Sequence, residues 1–178
     1  RLLRRLGNDF EVVQQFVEAQ LAHGGIVPAL AAHLEQTFGM SPAVLTGHRM
    51  HRLLDYREEA SEIRGPRCQP HRDYGSFSVL WSDHLGLEVF RQRIVDQGAD
   101  EFCDEWAEAP PGAAAVVVVG RALSVLTGGR AFAPEHRVVA RPSTLLANRV
   151  PRRTALALFV EPAKTQILHP VGFGDEHQ

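Results

Sequence analysis

Short segments rich in β-branched and aromatic residues dominate the chain from about Arg49 onward, and they limit the fold more than any other feature. Glycine, proline and charged clusters separate these segments, a pattern typical of a sandwich, barrel or jelly roll and not of a parallel α/β sheet. The polar stretches Arg57–Arg67 and Gln92–Glu105 are predicted to be loops. The predicted strands are Met50–Tyr56, Cys68–Tyr74, Phe77–Trp81, Leu87–Arg91, Ala113–Val119, His136–Ala140 and Thr154–Val160, with one helical turn at Ala122–Leu126.

Two amphipathic helices are predicted ahead of the strands. Between Leu2 and Leu21 the apolar residues recur every three to four positions, which predicts a helix that packs one stripe on a core. The same pattern predicts a second helix over Ala29–Phe38, ended by Gly39. We therefore expect a helical flank over residues 1–48 and a mainly β core over residues 49–178.

The composition excludes several classes of protein. The chain has 178 residues, of which 44% are hydrophobic, enough for one globular domain with its own core. Its formal net charge of −2 gives no basic surface for nucleic acid or membrane. The longest apolar run is far below the roughly 20 residues of a membrane-spanning helix. The two cysteines, Cys68 and Cys103, form no paired motif, which indicates a reducing, cytoplasmic compartment.

His71 and Asp73 are a candidate pair of metal ligands. They lie two positions apart in a predicted strand, where period-2 geometry sends both side chains to one face. An imidazole beside a carboxylate suits iron(II), which in non-heme oxygenases takes two histidines and one carboxylate. A polar strand end is the alternative interpretation of this common triplet, and a third ligand has to come from a distant strand.

The sequence around this pair resembles the isopenicillin N synthase-like oxygenases, the relatives of anthocyanidin synthase and the gibberellin oxidases. The string HRDYGSFSVLWSDHLGLEVF is similar to the family's HxD, small-residue turn, Ser/Thr-containing strand and G-L-Q-V element. The string AEAPPGAAAVVVVGRALSVLTGGRAFAPEHRVV is similar to its proline-glycine turn, buried strand, helix and terminal H-R-V. The resemblance covers about Arg49 to Pro170 and implies that His136 is the third iron ligand. Arg121 and Gly128 stand where the family usually has Asp and Asn.

The resemblance also implies a site for 2-oxoglutarate. The segment from Arg153 to Pro162 resembles the family's R-x-S strand, which makes Arg153 the cation for the distal carboxylate. Arg152 is the competitor in register, but neighbouring strand residues face opposite sides, so only one of the two can serve. The family's serine falls on Ala155, and Thr154 or a water is the candidate replacement for its hydroxyl.

Tyr56 matches the tyrosine of the family's Y-P pair, which often forms a hydrogen bond to 2-oxoglutarate. Arg57 replaces the proline of that pair. The alternative interpretation of Tyr56 is an aromatic side chain that packs at the end of a strand.

The resemblance implies a double-stranded β-helix, the jelly roll that cupins share, with iron(II), 2-oxoglutarate and dioxygen. The expected activity is the hydroxylation or desaturation of a small molecule, with release of succinate and carbon dioxide. Complete family members carry a longer N-terminal region, which we expect this chain to lack. One rival is an inactive oxygenase fold that acts as a binding or scaffold module for a protein partner, motivated by Ala155, Arg121 and the missing N-terminal region. The other is a cupin-like metalloprotein whose chemistry does not need Arg153.

Overall fold

The computed structural model describes residues 10–57, 65–96, 99–109, 115–141 and 150–169. Four helices and eight strands lie within these ranges. The helices are α1 Phe10–Leu21, α2 Ile26–Phe38, α3 Pro42–Leu45 and α4 Arg121–Leu126. The strands are β1 His48–Tyr56, β2 Pro66–His71, β3 Phe77–Ser82, β4 Leu87–Asp96, β5 Ala99–Glu108, β6 Val116–Val119, β7 His136–Val139 and β8 Arg153–Glu161.

The strands form two four-stranded sheets, in which every pairing is antiparallel. One has the order β1-β8-β3-β6 and the other β2-β7-β4-β5. Apolar side chains from both sheets share one cluster, in which Leu80 and Val116 of the first sheet pack against Leu87 and Val138 of the second. The predicted mainly β jelly roll with flanking helices is confirmed.

The first sheet is apolar on both faces, and its outer face packs against the helices. Along β8 successive side chains alternate, so Leu156, Leu158 and Val160 face the helices while Arg153 and Ala155 face the second sheet. Phe16 of α1 also meets Trp81 of β3 edge to face, with ring centroids 5.2 Å apart. The buried members of this cluster are Val13, Val17, Val27, Phe77, Val79, Leu156, Leu158 and Val160.

Both helices predicted from the apolar periodicity are present, but the second one has different bounds from its prediction. The second predicted helix begins earlier, at Ile26, because proline at position 28 is tolerated in the first turn of a helix. It ends at Gly39, whose positive φ of 71° is a usual helix end. The short α3, capped by the Ser41 side chain, has no counterpart in the prediction. Residues 1–9 lie outside the described ranges.

None of the described helices has the length and apolar character needed to span a bilayer.

The predicted loop over Gln92–Glu105 is wrong, because this stretch belongs to the β4–β5 hairpin. The backbone pairs from Glu88 opposite Glu108 out to Asp96 opposite Ala99. Opposite charges meet across the pair, and Arg91 Nη2 lies 2.6 Å from Glu105 Oε1. The aromatic rings of Phe90 and Trp106 also meet across the strands, with centroids 5.3 Å apart, so both kinds of cross-strand pair contribute to this ribbon.

The predicted strand Cys68–Tyr74 also needs correction. The strand β2 begins at Pro66 and ends at His71, its last residue paired with β7, so Asp73 lies in the loop that follows. The side-chain alternation of a strand therefore does not determine where Asp73 points. The predicted loop before β2 falls largely on residues 58–64, and the predicted start of β6 on residues 113 and 114, all outside the described residues.

Candidate metal centre and adjoining cleft

The two predicted histidine ligands face each other across neighbouring strands. His71 at the end of β2 pairs with His136 at the start of β7, and their ring centroids are 4.3 Å apart. The Nδ1 of His71 lies 2.8 Å from the Gln69 carbonyl, and that of His136 lies 3.3 Å from the Pro134 carbonyl. With Nδ1–H donating to a carbonyl, each ring keeps the Nε2 lone pair for a metal.

Asp73 completes the group, although it comes from a loop. Its Oδ1 lies 3.6 Å from His71 Nε2 and 3.7 Å from His136 Nε2. The other oxygen, Oδ2, accepts a 2.6 Å hydrogen bond from the Ser78 hydroxyl on β3. One carboxylate oxygen is therefore anchored, while the other faces both imidazoles. Among the described residues this is the one cluster of His, Cys, Asp and Glu with metal-binding spacing, and its ligand atoms lie within 4.8 Å of one another.

A close contact between two backbones holds the Asp73 loop in place. A Cβ added at Gly120 would lie 2.0 Å from the Gly75 carbonyl oxygen, and one added at Gly75 would lie 2.6 Å from the Val160 carbonyl oxygen. The Arg121 N–H donates a 2.8 Å hydrogen bond to the Asp73 carbonyl. The start of α4 and the end of β8 thus fix the loop at two positions where no side chain fits.

The donor set fits iron(II). Two imidazoles and one carboxylate on one side of an ion, with the other side open, are the ligands of non-heme iron(II) oxygenases. Neighbouring donors of an octahedral ion with bonds of about 2.1 Å lie about 3 Å apart. The distances of 3.6 and 3.7 Å from Asp73 Oδ1 to the two Nε2 atoms would shorten to that value if the side chains moved by about half an ångström.

Burial favours the neutral, metal-binding form of His136. The side chain is 5% exposed, and this burial lowers the pKa of its imidazole, with the neighbouring His71 ring acting in the same direction. The nearby Asp73 carboxylate opposes the shift. A neutral imidazole is the form that coordinates a cation.

A cleft of about 610 Å³ opens beside His71 and Asp73, within the size range of small-molecule sites. Its lining is mixed: Met50 and Phe159 supply apolar surface from β1 and β8, while charged side chains surround them. The charged residues outside the metal group are Arg52, Arg72, Arg121, Glu135 and Glu161.

Arg153 lies on the inner face of its sheet, beside Tyr56. Its side chain is buried, at 4% exposure, its Nε donates to the His84 carbonyl at 3.1 Å, and its guanidinium carbon is 5.4 Å from the centroid of the Tyr56 ring. Burial lowers the pKa of this guanidinium, opposed by Tyr56 and Asp83, yet an arginine stays cationic in a protein. Burial also raises the pKa of Tyr56, so its hydroxyl remains a donor at neutral pH.

The placement of Arg152 decides which of the two neighbouring arginines, Arg152 or Arg153, is the candidate cation for 2-oxoglutarate. Arg152 is exposed and forms two hydrogen bonds to the Asp55 carboxylate, at 2.7 and 2.9 Å, on the outer side of the sheet. These bonds lower the pKa of the Asp55 carboxyl. Arg153 is therefore the arginine that points inward.

The predicted co-substrate contacts at Thr154 and Ala155 differ in placement. Thr154 follows Arg153 along β8 and so faces the other side of the sheet, a position that does not favour its predicted role. Ala155 shares the face of Arg153 and pairs with Ser82 of β3. The Ser82 hydroxyl donates to the His84 carbonyl at 3.1 Å, the same oxygen that Arg153 uses. A hydroxyl thus lies on the strand next to Ala155.

Sequence reasoning missed Ser78 and the arginines of the cleft. The sequence motif placed Ser78 in an apolar strand without giving it a role. Its position five residues after Asp73 is the one sequence feature that could have indicated the hydrogen bond between them. Arg52, Arg72 and Arg121 come from three separate elements, so no local pattern brings them together.

Comparison with known proteins identifies the family. The 2OG-Fe(II) oxygenase superfamily model matches residues 50–162. A feruloyl CoA ortho-hydroxylase from Ipomoea batatas is 31% identical over 102 residues, which cover 57% of this chain and 24% of that protein. A 2-oxoglutarate-dependent dioxygenase from Dothideomycetidae sp. (strain 11243) is 28% identical over 161 residues, 86% of this chain and 46% of that protein. The chain thus spans between a quarter and a half of the length of these two relatives.

Solved structures show the same fold. A full-length Neurospora crassa protein crystallised with alpha-KG superposes with a TM-score of 0.70 at 22% identity, over 92% of this chain and 53% of that one. The dioxygenase for auxin oxidation from rice superposes with a TM-score of 0.63 at 25% identity, over 91% of this chain and 50% of that one. Together with the family match over more than half of its residues, these likenesses establish that the chain belongs to the 2OG-Fe(II) oxygenase superfamily.

Proposed function

We propose that this chain carries the catalytic core of an iron(II)- and 2-oxoglutarate-dependent dioxygenase that hydroxylates or desaturates a small molecule. The observation that supports this most is the convergence of His71, Asp73 and His136 beside an open cleft. Family membership over residues 50–162 supports the same activity. We further propose that residues 49–178 form the oxygenase core, that residues 1–48 form its helical flank, and that the protein works in the cytoplasm.

The proposed roles follow from what each side chain can reach. His71, Asp73 and His136 would hold the metal, and Ser78 would keep the carboxylate turned toward it. Bound iron(II) and 2-oxoglutarate together supply dioxygen activation and the oxidative decarboxylation that yields succinate and carbon dioxide.

Arg153 would bind the distal carboxylate of 2-oxoglutarate as a buried cation with several N–H donors. Tyr56, whose phenol stays protonated, would donate a further hydrogen bond. Met50 and Phe159 give the cleft an apolar wall, which limits the water around a bound substrate.

Anaerobic titration with iron(II) and 2-oxoglutarate tests the proposal. We expect a visible metal-to-ligand charge-transfer band, followed by succinate when air is admitted. The His136→Ala variant should give no band, while His33→Ala, an exposed position on α2, should behave as the parent. A parent protein that binds iron(II) but yields neither band nor succinate would support the scaffold role instead.

A further inference from the structure

Three arginines from separate elements line the cleft beside the metal centre. Arg52 comes from β1, Arg72 from the loop after β2, and Arg121 from the start of α4. Each guanidinium lies over an aromatic ring. The distances from the guanidinium carbon to the ring centroid are 5.8 Å for Arg52 and Phe159, 5.4 Å for Arg72 and Phe132, and 5.7 Å for Arg121 and Tyr74.

These guanidinium groups remain available for a ligand. Within the described ranges none of the three forms an ion pair with a carboxylate. An aromatic ring contacts the flat face of a guanidinium, so the N–H donors along the edge of the guanidinium stay free. Those donors match the two oxygens of a carboxylate or a phosphate.

The charge of the cleft favours an anion. Glu135 and Glu161 are the carboxylates of the lining apart from Asp73, which belongs to the metal group. Counted with Asp73, three guanidinium groups stand against three carboxylates, so a divalent ion in the metal group would give the cleft a net charge of about +2. Two of the aromatic partners are well exposed, Tyr74 of the cleft lining at 79% and Phe132 at 62%.

We propose that the cleft takes a small substrate that carries an oxyanion, either a carboxylate or a phosphate, held by Arg52, Arg72 and Arg121. Its remaining part lies along Met50 and Phe159, next to the open side of the metal group. The inference rests on the proposed function, since that function makes this cleft the substrate site.

Binding of small probes to the protein loaded with Zn(II), a redox-inactive divalent ion, tests the inference. The probes are benzoate, phenyl phosphate, the neutral benzamide and the cationic benzylamine, with affinities measured by ligand-observed NMR. We expect benzoate or phenyl phosphate to bind about tenfold more tightly than benzamide, with the preference lost in Arg52→Gln and Arg121→Gln. The matched control is Arg49→Gln, on the opposite face of β1, which should keep the preference. The stronger of the two anionic probes identifies the kind of oxyanion.

Three outcomes overturn the inference: benzamide binds as well as both benzoate and phenyl phosphate, benzylamine binds most tightly, or the preference survives in both cleft variants and vanishes in Arg153→Gln. Thermal melting of each variant shows that the fold is intact. The iron(II) titration reports separately on the proposed function. A charge-transfer band without anion preference would reject only this inference, and anion preference without a band would reject only the dioxygenase role.

Discussion

The Ser78 hydroxyl donates a 2.6 Å hydrogen bond to one oxygen of Asp73, and the other oxygen of that carboxylate faces His71 and His136. Ser78 belongs to β3 of the first sheet, whereas both histidines belong to the second. The candidate metal centre therefore lies where the two sheets meet, and its carboxylate is oriented by the sheet that supplies no ligand.

Removal of the Ser78 hydroxyl should weaken metal binding without unfolding the protein. In Ser78→Ala the Asp73 carboxylate loses its anchor and can rotate, so we expect about a tenfold loss of Mn(II) affinity. Electron paramagnetic resonance of free Mn(II) measures this. The control is Ser76→Ala, whose hydroxyl is equally buried but donates to the Leu45 carbonyl. An unchanged Mn(II) affinity in Ser78→Ala would show that Asp73 needs no anchor.

A serine at position 155 should strengthen the binding of 2-oxoglutarate. Ala155 is 3% exposed and shares the inner face of β8 with Arg153, so a hydroxyl there would add one charge-assisted hydrogen bond to the carboxylate that Arg153 binds. We expect about a tenfold lower dissociation constant in Ala155→Ser, measured by isothermal titration with metal present.

The control for that change is Ala31→Ser, at an equally buried alanine of α2 in the helical flank. Its hydroxyl does not lie on the inner face of β8, so it should lower stability without a gain in affinity. Equal affinities for the parent and Ala155→Ser would mean that 2-oxoglutarate does not lie against this part of β8, or that Ser82 already supplies the hydroxyl. The double variant Ser82→Ala with Ala155→Ser separates these two explanations.

A side chain at Gly120 should disrupt the Asp73 loop. The added Cβ of Gly120→Ala meets the Gly75 carbonyl at 2.0 Å, so the two backbones must separate. We expect a loss of more than about 3 kcal/mol in the free energy of unfolding, measured by urea denaturation, together with weaker Mn(II) binding. In Gly24→Ala nothing lies within 4 Å of the new Cβ, and only its positive φ costs free energy. That variant should lose about 1 kcal/mol and keep its metal affinity.

The packing of helices against β8 should contribute to stability and leave the metal centre unaffected. Leu156 is fully buried on the outer face of the strand, and its truncation in Leu156→Ala should cost about 2–5 kcal/mol of unfolding free energy. Its backbone partner Leu53 is 40% exposed, so Leu53→Ala should cost less than about 1 kcal/mol. Mn(II) affinity at low temperature should be the same in both variants. A weaker affinity in Leu156→Ala alone would show that the outer core also positions the ligands.

The strands of the core were predictable because most of them alternate or are continuously apolar. Phe77–Ser82 and Arg153–Glu161 match their predicted counterparts within one residue at each end. The β4–β5 hairpin was not predictable from polarity, because its pairing includes a cross-strand charge pair, Arg91 with Glu105, beside the aromatic pair of Phe90 with Trp106. A periodic hydrophobic pattern indicates which residues are buried. A ribbon that carries charged residues on its strands shows little of this pattern, so its strands are hard to predict.

The metal group was predictable in its members but not in its geometry. His71 and His136 come from strands 65 positions apart along the chain, and only the H-R-V motif indicated that they meet. Asp73 was expected within a strand, yet it reaches the histidines from a loop whose path depends on Gly75 and Gly120. Contacts between distant backbones of this kind leave no local pattern in the sequence.

The contact of Gly75 with Gly120 separates two properties of the cleft. Because backbone atoms alone make this contact, and the Arg121 N–H bonds to the Asp73 carbonyl whatever side chain residue 121 carries, the ligand loop keeps its path when that side chain changes. Residue 121 still lines the cleft. Its charge can therefore be exchanged by mutation, or in the course of evolution, to suit a new substrate while the metal-binding geometry is inherited intact.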